Sequence, residues 1–192
     1  MTQTAVPAAP TPFLVELQSL ALAIREVNAM NGWGLTFNPA ANDQEIPGYL
    51  ALEHSEIVEA ERAALPEDAL HELGDVLVRA LDFCELLDPG ALLRRWAQGD
   101  PAAPLNVVPH DLRRFSWDTA LFGLHRCVAA SLEIYRKEPL YLEALIGMQL
   151  ELIQETWALI ITVFRGTDPV VVIQGICARN MQRGYRHGGR RT

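Results

Sequence analysis

The sequence predicts an all-α fold, on three observations. Apolar residues recur at three- and four-residue steps along most of the chain, and clusters of Pro, Gly, Asn and Asp divide those stretches into helix-sized pieces. No segment alternates apolar and polar residues between hairpin turns. With 192 residues, 49% hydrophobic and 21% charged, the chain is long enough for one well-filled core and ordinary in composition for a globular protein.

Residues 1–12, with Pro7, Pro10 and Pro12 among Ala and Thr, read as a flexible N-terminal tail. A single domain is expected over 13–184, and 185–192 read as a basic C-terminal tail. The first helix runs from about Phe13 to Met30 on Leu14, Leu17, Leu20, Ile24 and Val27, and Asn31, Gly32 and Gly34 end it. A second is expected from about Pro47 to Ala64. Pro66 breaks the chain and opens a third, with Glu67 and Asp68 suiting the positive end of its dipole, which continues to about Leu87. A short helix near Leu92 to Ala97 and a loop from Gly99 to Pro109 follow. Three more helices are expected from about Asp111 to Lys137, Pro139 to Phe164 and Pro169 to Arg183. The β-branched run Val170 to Ile173 belongs to the last of these, because Asp168 and Pro169 make a good helix opening.

A net charge of -8 disfavours a nucleic-acid polymer as partner, since polyanion binding needs a basic face. It permits a phosphorylated small molecule when a cation bridges the like charges. Cys84, Cys127 and Cys177 lie far apart with no C-x-x-C spacing, which predicts reduced thiols in a cytoplasmic protein. No leader has the plan of a signal peptide. The most apolar stretch, Leu140 to Phe164, is interrupted by Glu143, Gln149, Glu151, Gln154 and Glu155, so no membrane span is expected.

The chemistry lies in the carboxylates. Residues three apart on a helix share a side, so Glu56 and Glu59 form one pair on the second helix, with Glu53 extending their row. Glu72 and Asp75 form a second pair on the third helix. That helix is apolar nearly all round, apart from one polar stripe of Glu72, Asp75, Arg79 and Asp82. Such a helix is expected to be mostly buried, and buried carboxylates are costly unless paired or bound to metal. Two acidic pairs on helices joined by a short turn offer the all-oxygen nest that a hard divalent cation prefers. The plainer alternative is a solvated face at Glu56 and Glu59, with Arg79 neutralising Glu72 or Asp75.

The string HSEIVEA followed by HELGDVLVRALD, with twelve residues between Glu59 and Glu72, resembles the E-x-x-E…E-x-x-D signature of the MazG-like nucleotide pyrophosphohydrolases. Asn31-Gly32-Trp33 is similar to an NGW-type segment ahead of the first acidic pair in many relatives. Gly166-Thr167-Asp168 and the run from Arg179 to Gly189 resemble the family's terminal pattern, in which Asn and Arg precede Tyr-Arg-His-Gly. The resemblance implies a MazG-like four-helix-bundle core with additional helices. It implies Mg²⁺, with Mn²⁺ as a substitute, held by Glu56, Glu59, Glu72 and Asp75. Glu53 is a further candidate ligand, because Ser55 stands where some relatives carry an extra Glu. The implied reaction is a nucleoside triphosphate plus water giving a nucleoside monophosphate and pyrophosphate, with Glu56 as the base that activates water. Asn180 is the candidate for a base edge and Trp33 for stacking, although core or interface packing competes for Trp33. Lys137 is the only lysine, which leaves phosphate contact to Arg179 or Arg183. Helices this apolar, and the family, point to a homodimer.

Two other classes remain. A ferritin-like di-iron bundle is disfavoured because no pair of Glu-x-x-His motifs occurs; His54, His71, His125 and His187 are expected to be structural or solvent-facing. A non-catalytic helical interaction protein that keeps an acidic site would bind Mg²⁺ weakly and hydrolyse nothing.

Overall fold

A computed structural model describes residues 12–35, 37–38, 45–97, 115–138 and 142–183. Seven helices and no strand occur among them: α1 (Pro12–Met30), α2 (Ile46–Arg62), α3 (Pro66–Leu87), α4 (Ala91–Ala97), α5 (Trp117–Lys137), α6 (Leu142–Val163) and α7 (Pro169–Met181). Local chemistry sets their ends. Pro occupies the first turn of α2, α3 and α7, where its missing N–H has no helical partner to lose. The Asp168 side chain accepts from Val170 N at 2.9 Å, so the β-branched run that follows is helix, not strand.

One boundary differs from expectation by more than two residues. α5 does not extend back through Phe115 and Ser116, because Ser116 is extended (φ -133, ψ 126) and its side chain accepts from Thr119 N. The expected start at Asp111, the start of α6 at Pro139, the loop Gly99–Pro109, most of the N-terminal tail and the basic tail lie outside the described residues.

α2, α3, α5 and α6 form a four-helix bundle. α2 packs on α3 and α5, and α6 packs on the same two, so α2 and α6 stand diagonally opposite. α1 and α7 pack on α3 and on each other, and α4 closes against α1 and α3. α3 is thereby enclosed on several sides, which explains why its sequence is apolar nearly all round. Leu73, Leu77 and Leu81 are fully buried in one core shared by all the longer helices. Each such side chain contributes on the order of 1.5–3 kcal/mol relative to exposure. α6 has the length and composition of a membrane span, but 61% of its most apolar window is buried inside the bundle, as befits a core helix. Cys84, Cys127 and Cys177 form no disulfide, and the first two are buried.

Candidate functional site

The short turn between α2 and α3 folds the two acidic pairs toward one another. One carboxylate oxygen from each of Glu56, Glu59 and Glu72 lies within 4.8 Å of the others. Glu56 is buried, Glu72 half-buried and Glu59 exposed, so the trio sits at the mouth of a cleft. Asp75, one turn along α3, falls outside this group but remains its electrostatic neighbour. Its carboxyl is raised above its ordinary value by burial and then by the charge of Glu56. Glu72 is pushed up to about 7, first by burial, then by a hydrogen bond and charge from Glu56, then by Asp75 and Glu59. Carboxylates crowded in this way, with oxygen the only donor atom in the trio, are a donor set suited to a hard divalent cation.

Arg79 lies one turn beyond Asp75 and pairs with Glu56, engaging Oε1 through both Nε and Nη2. Its direct ion pair is with Glu56, and its charge also partly offsets the upward shift of Asp75.

Glu53 is not part of the site. It is completely buried, and its Oε2 accepts from Gln149 Nε2 of α6 at 3.1 Å. Three residues of helix turn the side chain about 60° around the axis, enough to carry Glu53 from the α3 side into the centre of the bundle. Its expected role as a further metal ligand is corrected accordingly. Ser55 lines the cavity in its place.

The trio and Asp75 border a cavity of about 1010 Å³, whose other walls come from α1, α2, α3 and α7 and the residues that follow α1 and α7. α1 stops in a Schellman turn: Gly32 N donates to Ala29 O and Trp33 N to Asn28 O, both at 2.9 Å, with Gly32 at φ 85. This turn sets Trp33 half-exposed on the cavity wall, away from the core. Asn31 Nδ2 donates to Asn180 O at 2.9 Å, tying the end of α7 to the end of α1. Asn180 and Arg183 consequently line the cavity, and the Arg183 charge is felt at Asp75. Arg179 does not line it; its Nη2 lies 2.9 Å from His71 Nδ1. His71 lines the cavity with Nε2 3.7 Å from Asp75, and 37% of its side chain stays exposed to solvent.

A second polar cluster went unrecognised in the sequence. Asp82 is buried, and its two oxygens accept from Arg25 Nη1 at 2.7 Å and Asn28 Nδ2 at 2.8 Å. Burial raises its carboxyl to about 6 against the pull of Arg25 and Asn28. Arg25 also donates to the backbone oxygen of Trp33, which braces the turn. Tyr49 stacks on Phe83 with ring centroids 5.3 Å apart, and burial followed by the Asp82 charge pushes its hydroxyl up to about 12. The signal was present as a polar row at three-residue spacing, Arg25 and Asn28 on α1 and Asn31 just past its end.

No family model, curated protein or solved structure matches this chain.

Proposed function

We propose that the chain is a Mg²⁺-dependent nucleoside triphosphate pyrophosphohydrolase, with Mn²⁺ as a substitute, converting (d)NTP and water to (d)NMP and pyrophosphate. The convergence of Glu56, Glu59 and Glu72 at one side of a nucleotide-sized cavity carries this reading. The MazG-like resemblance of the two acidic pairs points the same way. Glu56, Glu59 and Glu72, with Asp75 beside them, would hold the ion. When bound, it would supply positive charge that offsets the negative charge developing in the transition state. Arg183 supplies positive charge on the same cavity, and Asn180 and Trp33 offer an amide and a ring to a nucleobase. Glu56 would take a proton from the attacking water, with Arg79 orienting its carboxylate by engaging Oε1. A homodimer is proposed on the exposed Val15 and Leu22, which share one face of α1.

The deciding experiment is pyrophosphate release from a panel of deoxy- and ribonucleoside triphosphates, with and without Mg²⁺. Glu56→Gln and Asp75→Asn should each abolish release while leaving the helical circular dichroism intact. Wild-type rates in either variant would remove the assignment. Because Arg79 already neutralises part of Glu56, a second reading is a non-catalytic interaction protein, which predicts weak Mg²⁺ binding and no turnover of any nucleotide.

A further inference from the structure

α2 and α6 stand diagonally across the bundle, and one polar pair crosses the core between them. Glu53 and Gln149 are both completely buried, and Gln149 Nε2 donates to Glu53 Oε2 at 3.1 Å. The two remaining oxygens, Glu53 Oε1 and Gln149 Oε1, are buried with no hydrogen-bond partner. If Glu53 were ionised, both would be acceptors, and the core would hold an unpaired charge beside two orphaned groups. One proton resolves all three. Placed on Glu53 Oε1, it would give Gln149 Oε1 a donor while the amide donates to Oε2, which would close a reciprocal acid–amide pair.

We propose that Glu53 is held as a neutral carboxylic acid paired with Gln149, and that this pair positions α2, with its Glu56 and Glu59 face, against α6. The surroundings agree. From α3, Arg79 favours the ionised form, but it is engaged with Glu56. From α5 comes Cys127, whose thiol burial pushes up to about 12, so it brings no charge. Burial outweighs both the Gln149 hydrogen bond and Arg79, and raises the Glu53 carboxyl from 4.5 to about 8.

This inference stands apart from the proposed activity, and its tests need no substrate. A proton held by the fold and released on unfolding stabilises fully below about pH 4.5, and the benefit disappears as pH rises through about 8. Glu53→Gln offers an amide that makes both bonds without a titrating proton. Relative to that variant, wild type should lose on the order of tenfold in its folding equilibrium constant per pH unit between about 5 and 8. Parallel pH profiles would overturn the protonation, and would indicate an ionised Glu53 with a bridging water. Infrared spectra of wild type at neutral pH provide the reading that needs no Glu53 variant. A neutral carboxylic acid carbonyl band should appear and should shift in Gln149→Met; a band that is absent or unmoved overturns the pair. Positioning is read by hydrogen exchange: Gln149→Met should speed exchange in α2 by roughly tenfold more than in α1. Equal effects on both helices would overturn the positioning role.

Discussion

Gly74→Ala tests the joint on which the cavity depends. A Cβ at Gly74 would lie 2.6 Å from Ile176 Cδ1 and 2.6 Å from Val172 Cγ1, both on α7. Carbon atoms settle at about 3.5–4.0 Å, so roughly an ångström must be found at each contact. The far end of Ile176 can rotate. Val172 is β-branched and nearly fixed at χ1 in a helix, so its methyl retreats only if α7 moves. Overpacking of this kind costs about 1–3 kcal/mol, while Ala is about 1 kcal/mol better than Gly inside a helix. The expected net is a loss of about 1 kcal/mol. Urea unfolding should show a lower midpoint at unchanged slope. Adding Val172→Ala should recover part of the loss, with a coupling energy of at least about 0.5 kcal/mol in a double-mutant cycle. A Gly74→Ala protein as stable as wild type, or no coupling to Val172, would refute the close α3–α7 approach.

The acidic trio predicts a pH-dependent response to metal. Glu72 is raised to about 7, so the stability it lends to the metal-free protein is full below about pH 4.5 and lost as pH rises through 7. Mg²⁺ should therefore raise Tm more at about pH 8 than at about pH 5.5, and equal shifts in a thermal melt would count against an ion at the trio. Asp82→Asn leaves Arg25 without its buried anion and should cost about 3 kcal/mol by urea unfolding. A loss below about 1 kcal/mol would show that Arg25 finds another partner. Arg183→Ala should lower kcat/KM at least about tenfold, and Arg179→Ala less than about threefold, because only Arg183 borders the cavity. The reverse order would place Arg179 at the phosphates.

Helices and their ends were legible because their causes are local. Leu14, Leu17, Leu20, Ile24 and Val27 mark the buried face of α1 by spacing alone, and Pro66 and Asp168 place the openings of α3 and α7 within a residue. α5 opens at Trp117, later than the expected Asp111, because the Ser116 side chain caps it there by accepting from Thr119 N. The acidic core of the site was equally legible, since Glu56 with Glu59 and Glu72 with Asp75 need only three-residue spacing to share a side.

Which sides face each other is not a local property. Glu53 looked like one more member of the Glu56 row, yet packing of α6 against α3 and α5 puts Gln149 within reach and draws Glu53 into the core. Arg25 and Asn28 meet Asp82 only because α1 lies on α3, more than fifty residues away in sequence. The sequence by itself determined the helices, their buried faces and the two carboxylate pairs. The tertiary structure alone decided which carboxylates converge and which are buried with other partners, because a helix's rotation about its own axis is set by the neighbours it packs against.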